Sequence, residues 1–181
     1  MKQQNKQTPV VIEKGRRKFL QLSALSSGVG LFTAMSWVPQ AAAAGKTDAL
    51  LLSCMDFRLM DDIERYMSGR GLRNKYDHVV LAGASLGATT DKFPAWNKTF
   101  WEHLDIAIKL HDIHTVIVMD HRDCGAYKII IDADYAKDPR IEKDTHAVQL
   151  GKLKGMISER HPKLKVETLL MALDGKVEVI G

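Results

Sequence analysis

Two cysteines and one histidine, each following an apolar run of the chain, belong to two short motifs. The first motif is Cys54-x-Asp56-x-Arg58, and the second is His121-x-x-Cys124 followed by a glycine. Thiolates and imidazoles are the ligands that tetrahedral zinc sites use. With three such ligands, the fourth position belongs either to Asp56 or to a water molecule, and a water would make the site open and catalytic in type. The motifs therefore predict a zinc site.

The same cysteines have two other interpretations. They are the only two in the sequence, and in an oxidising compartment they could form one disulfide bond. They could also be plain buried thiols. A disulfide does not require Asp56, Arg58 or His121 as neighbours, whereas a metal site uses such groups, and this favours zinc.

Predicted strands lead directly into both motifs. Residues 49–53 and 115–119 are continuous apolar runs, which is typical of strands buried on both faces. A third strand is predicted at 78–82, and two closing strands at 166–173 and 176–180 are joined by a hairpin turn at Asp174-Gly175. Apolar residues at helical spacing predict helices at 59–67, from Pro94 onward, at about 125–132 and at about 145–160.

This alternation of strands and helices predicts the fold class. We expect an α/β fold with a mostly parallel central sheet, helices on both faces and an antiparallel C-terminal edge strand. Ligands of such sheets bind beyond the carboxyl ends of the strands. Because adjacent strands lie about 5 Å apart, the loops carrying Cys54, His121 and Cys124 should converge on one point.

The N-terminal part of the chain has the composition of an export signal. The 181 residues carry a net charge of +4, but residues 1–44 contain six basic residues and one acid, which leaves −1 on residues 45–181. Residues 19–44 are uncharged and end in four alanines. A basic start, an apolar middle and small terminal residues predict a cleaved signal peptide. The motif Arg16-Arg17-x-Phe19-Leu20 resembles the twin-arginine export signal.

One domain boundary and a location follow from this signal. We expect cleavage after Ala43 or Ala44, a working domain at 45–181 and a periplasmic location. The alternative is an uncleaved membrane anchor, because about 20 uncharged residues can span a bilayer. The mildly apolar run and its small terminal residues favour cleavage, so no stable membrane association is expected after processing. Twin-arginine export carries folded proteins, which suits a protein that acquires its cofactor beforehand.

Composition and charge also exclude several function classes. Hydrophobic residues make up 45% and charged residues 27% of the chain, values that are ordinary for a soluble globular domain and that argue against disorder or a multi-span membrane protein. The basic surplus lies in 1–44, so the rest of the chain has no basic stripe that would bind nucleic acid. A small neutral substrate fits this charge better.

The order of the two motifs resembles the zinc signature of the β-class carbonic anhydrases. Residues 104–126 are similar to the family's helix, strand and ligand loop, and 171–180 resemble its terminal hairpin. The resemblance covers most of residues 49–181. It implies one Zn²⁺ per chain, with the ligands Cys54, His121 and Cys124 and the catalytic pair Asp56 and Arg58.

The resemblance also implies an activity and an assembly. The expected reaction is the reversible hydration of CO₂ to bicarbonate and a proton, and a homodimer or higher homo-oligomer is expected. Zinc lowers the pKa of a bound water towards about 7, Asp56 would accept its hydrogen bond, and Arg58 would keep Asp56 ionised through a bidentate pair. In some members of the family this Asp instead closes onto zinc as a fourth ligand.

Two other functions remain open at this point. One is a related hydrolase that acts on carbonyl sulfide or carbon disulfide on the same scaffold. The other is a catalytically impaired zinc-binding, or disulfide-stabilised, periplasmic protein. One departure from the family bears on the site: Arg122 and Asp123 stand between the predicted ligands, where relatives often have smaller residues.

Overall fold

The computed structural model describes residues 45–181. The predicted export signal at 1–44 lies outside the described residues and stays a prediction. Among the helices of 45–181, none combines the length and the apolar character that a membrane span requires.

Strands and helices alternate along this part of the chain. The strands are β1 (Ala49–Ser53), β2 (Tyr76–Val80), β3 (Thr115–His121), β4 (Lys165–Met171) and β5 (Val177–Val179). The helices, after a 3₁₀ turn at Phe57–Leu59, are α1 (Met60–Gly69), α2 (Ser85–Thr89), α3 (Pro94–His111), α4 (Gly125–Ile130) and α5 (Pro139–Arg160).

The strands form one sheet in the order β2-β1-β3-β4-β5. The pairs β1–β2, β1–β3 and β3–β4 are parallel, and β4–β5 is antiparallel at the edge. The predicted α/β class, with its antiparallel C-terminal strand, is confirmed. Every residue of β1 is buried, which explains why its first four residues are all apolar.

Apolar side chains cover both faces of the sheet. Leu50 and Leu52 face a core that includes Leu104 of α3 and Leu153 of α5. Leu51 points to the other face, where it packs in a cluster with residues such as Met67 of α1. Successive residues of a strand point to opposite faces, so β1 contributes to both cores. The prediction of helices on both faces is therefore confirmed.

Some boundaries differ from those predicted. Strand β2 covers Tyr76–Val80 rather than the predicted 78–82. The short helix α2 was not predicted, because its small residues show no apolar period. The last long helix begins at Pro139 rather than near 145. Its N-cap is Asp138, whose side chain accepts a hydrogen bond from the Arg140 backbone N–H at 2.8 Å, and proline at the first helical position favours that start.

Candidate functional site

Cys54, His121 and Cys124 come together at the carboxyl edge of the sheet. Their ligand atoms all lie within 4.8 Å of one another, and the two sulfur atoms are 3.9 Å apart. All three residues are buried. Ser53 at the end of β1 pairs with Met119 of the neighbouring β3. Cys54, which follows Ser53, therefore lies close to His121 at the end of β3. The predicted convergence of the two motifs is therefore observed.

The imidazole of His121 has one ring nitrogen that could bind a metal ion. Its Nδ1 lies 2.8 Å from the carbonyl oxygen of Arg122, which can only accept a hydrogen bond, so Nδ1 carries the proton. The other ring nitrogen, Nε2, is buried and has no hydrogen-bond partner within residues 45–181. A buried polar atom without a partner is costly, and a metal ion bound to Nε2 would satisfy it. The residues present thus fit a thiophilic tetrahedral ion.

The charges of the two thiols also suit a cation. The contact with Cys124 lowers the pKa of Cys54, and so do His121 and a hydrogen bond from the Gly83 backbone N–H, whose nitrogen is 3.3 Å from the sulfur. The same contact, together with burial, raises the pKa of Cys124, because two neighbouring thiolates repel each other. Both cysteines are free rather than joined in a disulfide. A metal ion would replace the thiol protons and allow both sulfurs to ionise.

Asp56 lies beside this cluster and is paired with Arg58. The side chain of Arg58 donates from Nε to Oδ1 at 3.0 Å and from Nη2 to Oδ2 at 2.8 Å. These bonds are the main reason why the pKa of Asp56 falls from its ordinary 3.8 to about 2. Asp56 Oδ2 is 3.8 Å from Nε2 of His121. The carboxylate therefore borders the cluster as an ionised acceptor, engaged by Arg58.

Arg58 also contacts Asp123, which lies between the other two candidate ligands. Its Nη1 donates to Asp123 Oδ2 at 3.1 Å, and its Nη2 donates to the Asp123 carbonyl oxygen at 3.2 Å. Asp123 forms a second ion pair with Lys128, and Lys128 and then Arg58 hold its pKa below the ordinary value. This contact was not predicted, although the unusual acid between His121 and Cys124 was the available signal.

An apolar cleft leads from the surface to the cluster. It has a volume of about 340 Å³ and reaches Cys54 and Asp56. The rest of its lining is formed by nonpolar residues: Met55, Phe57, Ala82, Phe93, Trp96, Gly125, Ala126, Ile129 and Ile130. Its outer side chains are open to solvent, with Phe57 86% and Ile129 77% exposed. A small neutral molecule can therefore approach the cluster along an apolar path.

A buried polar network behind the cluster was not predicted. His146 is the histidine of this network, and its burial was not predicted. His146 is fully buried in the middle of α5, and its Nδ1 lies 2.9 Å from Oδ2 of the buried Asp120. The signal was its position, since it falls on the same helix face as the buried Leu150 and Leu153.

Two uncharacterized proteins are similar in sequence to most of this chain. This chain is 43% identical over 135 residues to an uncharacterized protein of Rickettsia conorii, and the aligned region covers 75% of this chain and 73% of that protein. It is 41% identical over 135 residues to an uncharacterized protein of Rickettsia bellii, with coverages of 75% and 82%. Both relatives extend over most of the chain, so the architecture is shared with proteins whose activity is not described.

Solved structures of carbonic anhydrases are similar in fold to this chain. The carbonic anhydrase from Glaciozyma antarctica superposes with a TM-score of 0.50 at 15% identity, covering 93% of this chain and 96% of that one. The β-carbonic anhydrase CafD of Aspergillus fumigatus gives 0.51 at 12% identity, with coverages of 82% and 95%. These identities establish likeness of fold alone. Residues 44–181 match the family described as "Putative carbonic anhydrase", and the chain therefore belongs to that family and has the fold of its β-class enzymes.

Proposed function

We propose that this protein is a zinc-dependent carbonic anhydrase that interconverts CO₂ with bicarbonate and a proton. The observation that carries the proposal is the buried cluster of Cys54, His121 and Cys124, in which an imidazole nitrogen without a hydrogen-bond partner within residues 45–181 faces two thiols. Membership of a carbonic anhydrase family gives this cluster its expected chemistry.

The ligand set supports zinc as the metal. Cys54, His121 and Cys124 would hold one ion per chain, and two thiolates with one imidazole form a donor set typical of Zn²⁺. When bound, zinc is a Lewis acid that makes water acidic enough to supply a nucleophile near neutral pH.

The neighbouring residues would orient the reactants. Ionised Asp56 has only acceptor oxygens, so it favours a molecule that presents a hydrogen at this place and disfavours one that does not. Arg58 engages both oxygens of Asp56 and fixes the direction of that acceptor. The apolar cleft beside Cys54 admits uncharged CO₂ and offers few hydrogen bonds to competing water.

Stopped-flow measurement of CO₂ hydration by the zinc-loaded protein tests this function. Carbonyl sulfide and carbon disulfide are linear, uncharged molecules that suit the same apolar cleft, so a related hydrolase is the second candidate. Parallel assays with these substrates separate the two activities. Stoichiometric zinc without turnover of any of the three substrates would leave a zinc-binding protein with impaired catalysis.

The periplasmic location is a further part of the proposal and rests on residues 1–44. Cell fractionation followed by N-terminal sequencing tests it. We expect a periplasmic protein that begins at Ala44 or Gly45, and a periplasmic protein with an intact Met1 would contradict cleavage.

Assembly into a homo-oligomer is proposed on separate grounds. Exposed apolar side chains such as Phe57 and Ile129 lie together at the mouth of the cleft, and such patches commonly mark interaction surfaces. Sedimentation analysis at several protein concentrations tests the prediction. A monomer at every concentration would contradict it.

A further inference from the structure

We propose that one face of helix α5 positions the ligand loop, by which we mean the segment from Asp120 to Cys124 that ends β3 and carries two of the candidate metal ligands. The face consists of Glu142 and His146, one helical turn apart, and Tyr135 connects His146 to the loop. These three side chains would set the affinity and the geometry with which the loop binds its metal. The inference rests on the metal site of the proposed function.

Glu142 holds the middle of the ligand loop. It is buried, and its Oε1 accepts a hydrogen bond from the Asp123 backbone N–H at 2.6 Å. Its Oε2 accepts from Nη1 of Arg122 at 2.9 Å. Asp123 has a backbone φ of 57°, a left-handed conformation that costs a residue with a side chain about 1 kcal/mol or more. The hydrogen bond that Glu142 accepts from Asp123 therefore fixes a strained residue between His121 and Cys124.

His146 holds the start of the same loop through Asp120. The Asp120 carboxylate is buried and accepts from the Ser85 backbone N–H at 3.0 Å, the Ser85 hydroxyl at 2.7 Å and the Tyr127 hydroxyl at 2.5 Å. Nδ1 of His146 completes this set at 2.9 Å. Because Asp120 directly precedes His121, its position fixes where that ligand leaves β3.

Tyr135 carries the contact from His146 to the last ligand. Its hydroxyl accepts a hydrogen bond from the Cys124 backbone N–H at 2.8 Å and lies 3.4 Å from Nε2 of His146. Its ring stacks on Tyr127 with the centroids 5.5 Å apart, which limits its movement. The network therefore reaches the residue before His121, the residue between the ligands and Cys124 itself.

Burial of these polar side chains lowers the folding stability relative to apolar side chains. Apolar residues of similar size would fill the same space without a desolvation penalty. The polar face of α5 instead directs its hydrogen bonds at a single loop. Residues that orient metal ligands in this way typically change metal affinity by about 10- to 100-fold when they are mutated.

Tyr135→Phe is the most selective test, because it removes one hydroxyl and keeps the stacked ring. We expect the full-length chain to fold, with the dissociation constant for Zn²⁺, measured by chelator competition, raised by about tenfold. The absorption bands of the Co²⁺ derivative should shift, which a general loss of stability would not cause. Tyr66→Phe, the same change on α1 outside this network, is the control and should leave both readouts unchanged.

Two substitutions of Glu142 provide an independent test, in which the conservative glutamine variant should retain part of the function that the alanine variant loses. Glu142→Ala removes both acceptors, whereas Glu142→Gln keeps an oxygen for the Asp123 N–H and replaces the charged acceptor that faces Arg122 with an NH₂ group. Zinc affinity should therefore decrease in the order wild type, Gln, Ala. Glu159→Gln, an exposed change on the same helix, should have no effect.

The outcomes separate this inference from the proposed function. Wild-type zinc affinity and an unchanged Co²⁺ spectrum in folded Tyr135→Phe and Glu142→Gln would overturn the positioning role, whether or not Glu142→Ala folds. Weakened zinc binding in these variants, in a protein that does not hydrate CO₂, would support the positioning role and refute the enzyme. A wild-type protein that binds no zinc would refute both.

Discussion

Arg58 donates one hydrogen bond to each carboxylate oxygen of Asp56, at 3.0 and 2.8 Å, although only one residue separates them in the chain. This bidentate pair forms within the loop that follows β1, directly after the first metal-ligand candidate. The two charged groups therefore depend little on the rest of the fold for their alignment. Their contact with Asp123 then ties this loop to the one that follows β3.

The first prediction concerns the charge of Asp56. Because Arg58 stabilises the carboxylate, the pKa should lie at about 2 rather than the ordinary 3.8. A depressed carboxyl pKa adds to the free energy of unfolding at pH values above the unfolded-state pKa. This contribution is lost as the pH falls through the folded-state pKa. Titration of the zinc-free protein, followed by ¹³C NMR of the side-chain carboxyl, measures it.

Arg58→Gln is the matched variant for this titration. Removing the guanidinium should move the Asp56 pKa back towards 3.8. If wild-type Asp56 were half-protonated near pH 3.8, its pairing with Arg58 would not control its charge.

The second prediction compares the two partners of Arg58. Asp123 and Arg58 are partly exposed, with 40% and 36% of their side-chain surfaces accessible, so this ion pair should contribute at most about 1 kcal/mol. Asp123→Asn should then lower kcat/KM for CO₂ by no more than about fivefold. Arg58→Gln removes the charged hydrogen bonds to Asp56 and should lower it by about tenfold or more.

The control for this comparison is Lys128→Gln. It removes the other partner of Asp123 and leaves the bonds of Arg58 intact, so kcat/KM should change little. Equal losses in Asp123→Asn and Arg58→Gln, at unchanged zinc content, would contradict the assigned order of importance.

The third prediction concerns metal content. Cys54→Ser, His121→Ala and Cys124→Ser should each reduce bound zinc from one ion per chain to near zero, because each removes one of three ligands. Elemental analysis after gel filtration measures the ratio. His114→Ala, at an exposed histidine, should retain the metal. Full retention by all three ligand variants would refute the site.

The fourth prediction concerns Gly87, the glycine that allows α2 to lie against the turn that follows β2. A Cβ at Gly87 would lie 2.5 Å from the Ala82 carbonyl oxygen, so Gly87→Ala should destabilise the fold by about 1–3 kcal/mol. Gly151→Ala in α5 meets no atom within 4 Å and should stabilise it by about 0.5–1 kcal/mol. Urea unfolding measures both, and equal effects would show that the close approach is unimportant.

The ligand positions could be predicted because local sequence determines them. Continuous apolar runs define β1 and β3, and parallel neighbours place their carboxyl ends side by side. Cys54 and His121 therefore meet as a consequence of strand order. The pair of Asp56 and Arg58 could also be predicted from the sequence, because a spacing of two residues is enough to form it.

The support behind the ligands could not be predicted, because it depends on distant segments. Glu142 follows Asp123 by 19 positions, and the two meet only because α5 packs across the end of β3. No period in the sequence marks Tyr135 as a partner of the Cys124 N–H. Among these residues only His146 had a readable signal, since it lies on the buried face of its helix.

The most direct test of the account is the rate of CO₂ hydration by the purified, zinc-loaded protein, followed by stopped flow with a pH indicator. We predict a saturable rate above that of buffer, proportional to bound zinc and lost in Cys124→Ser. A rate equal to that of buffer, in protein that binds one zinc ion per chain, would contradict the proposed carbonic anhydrase activity.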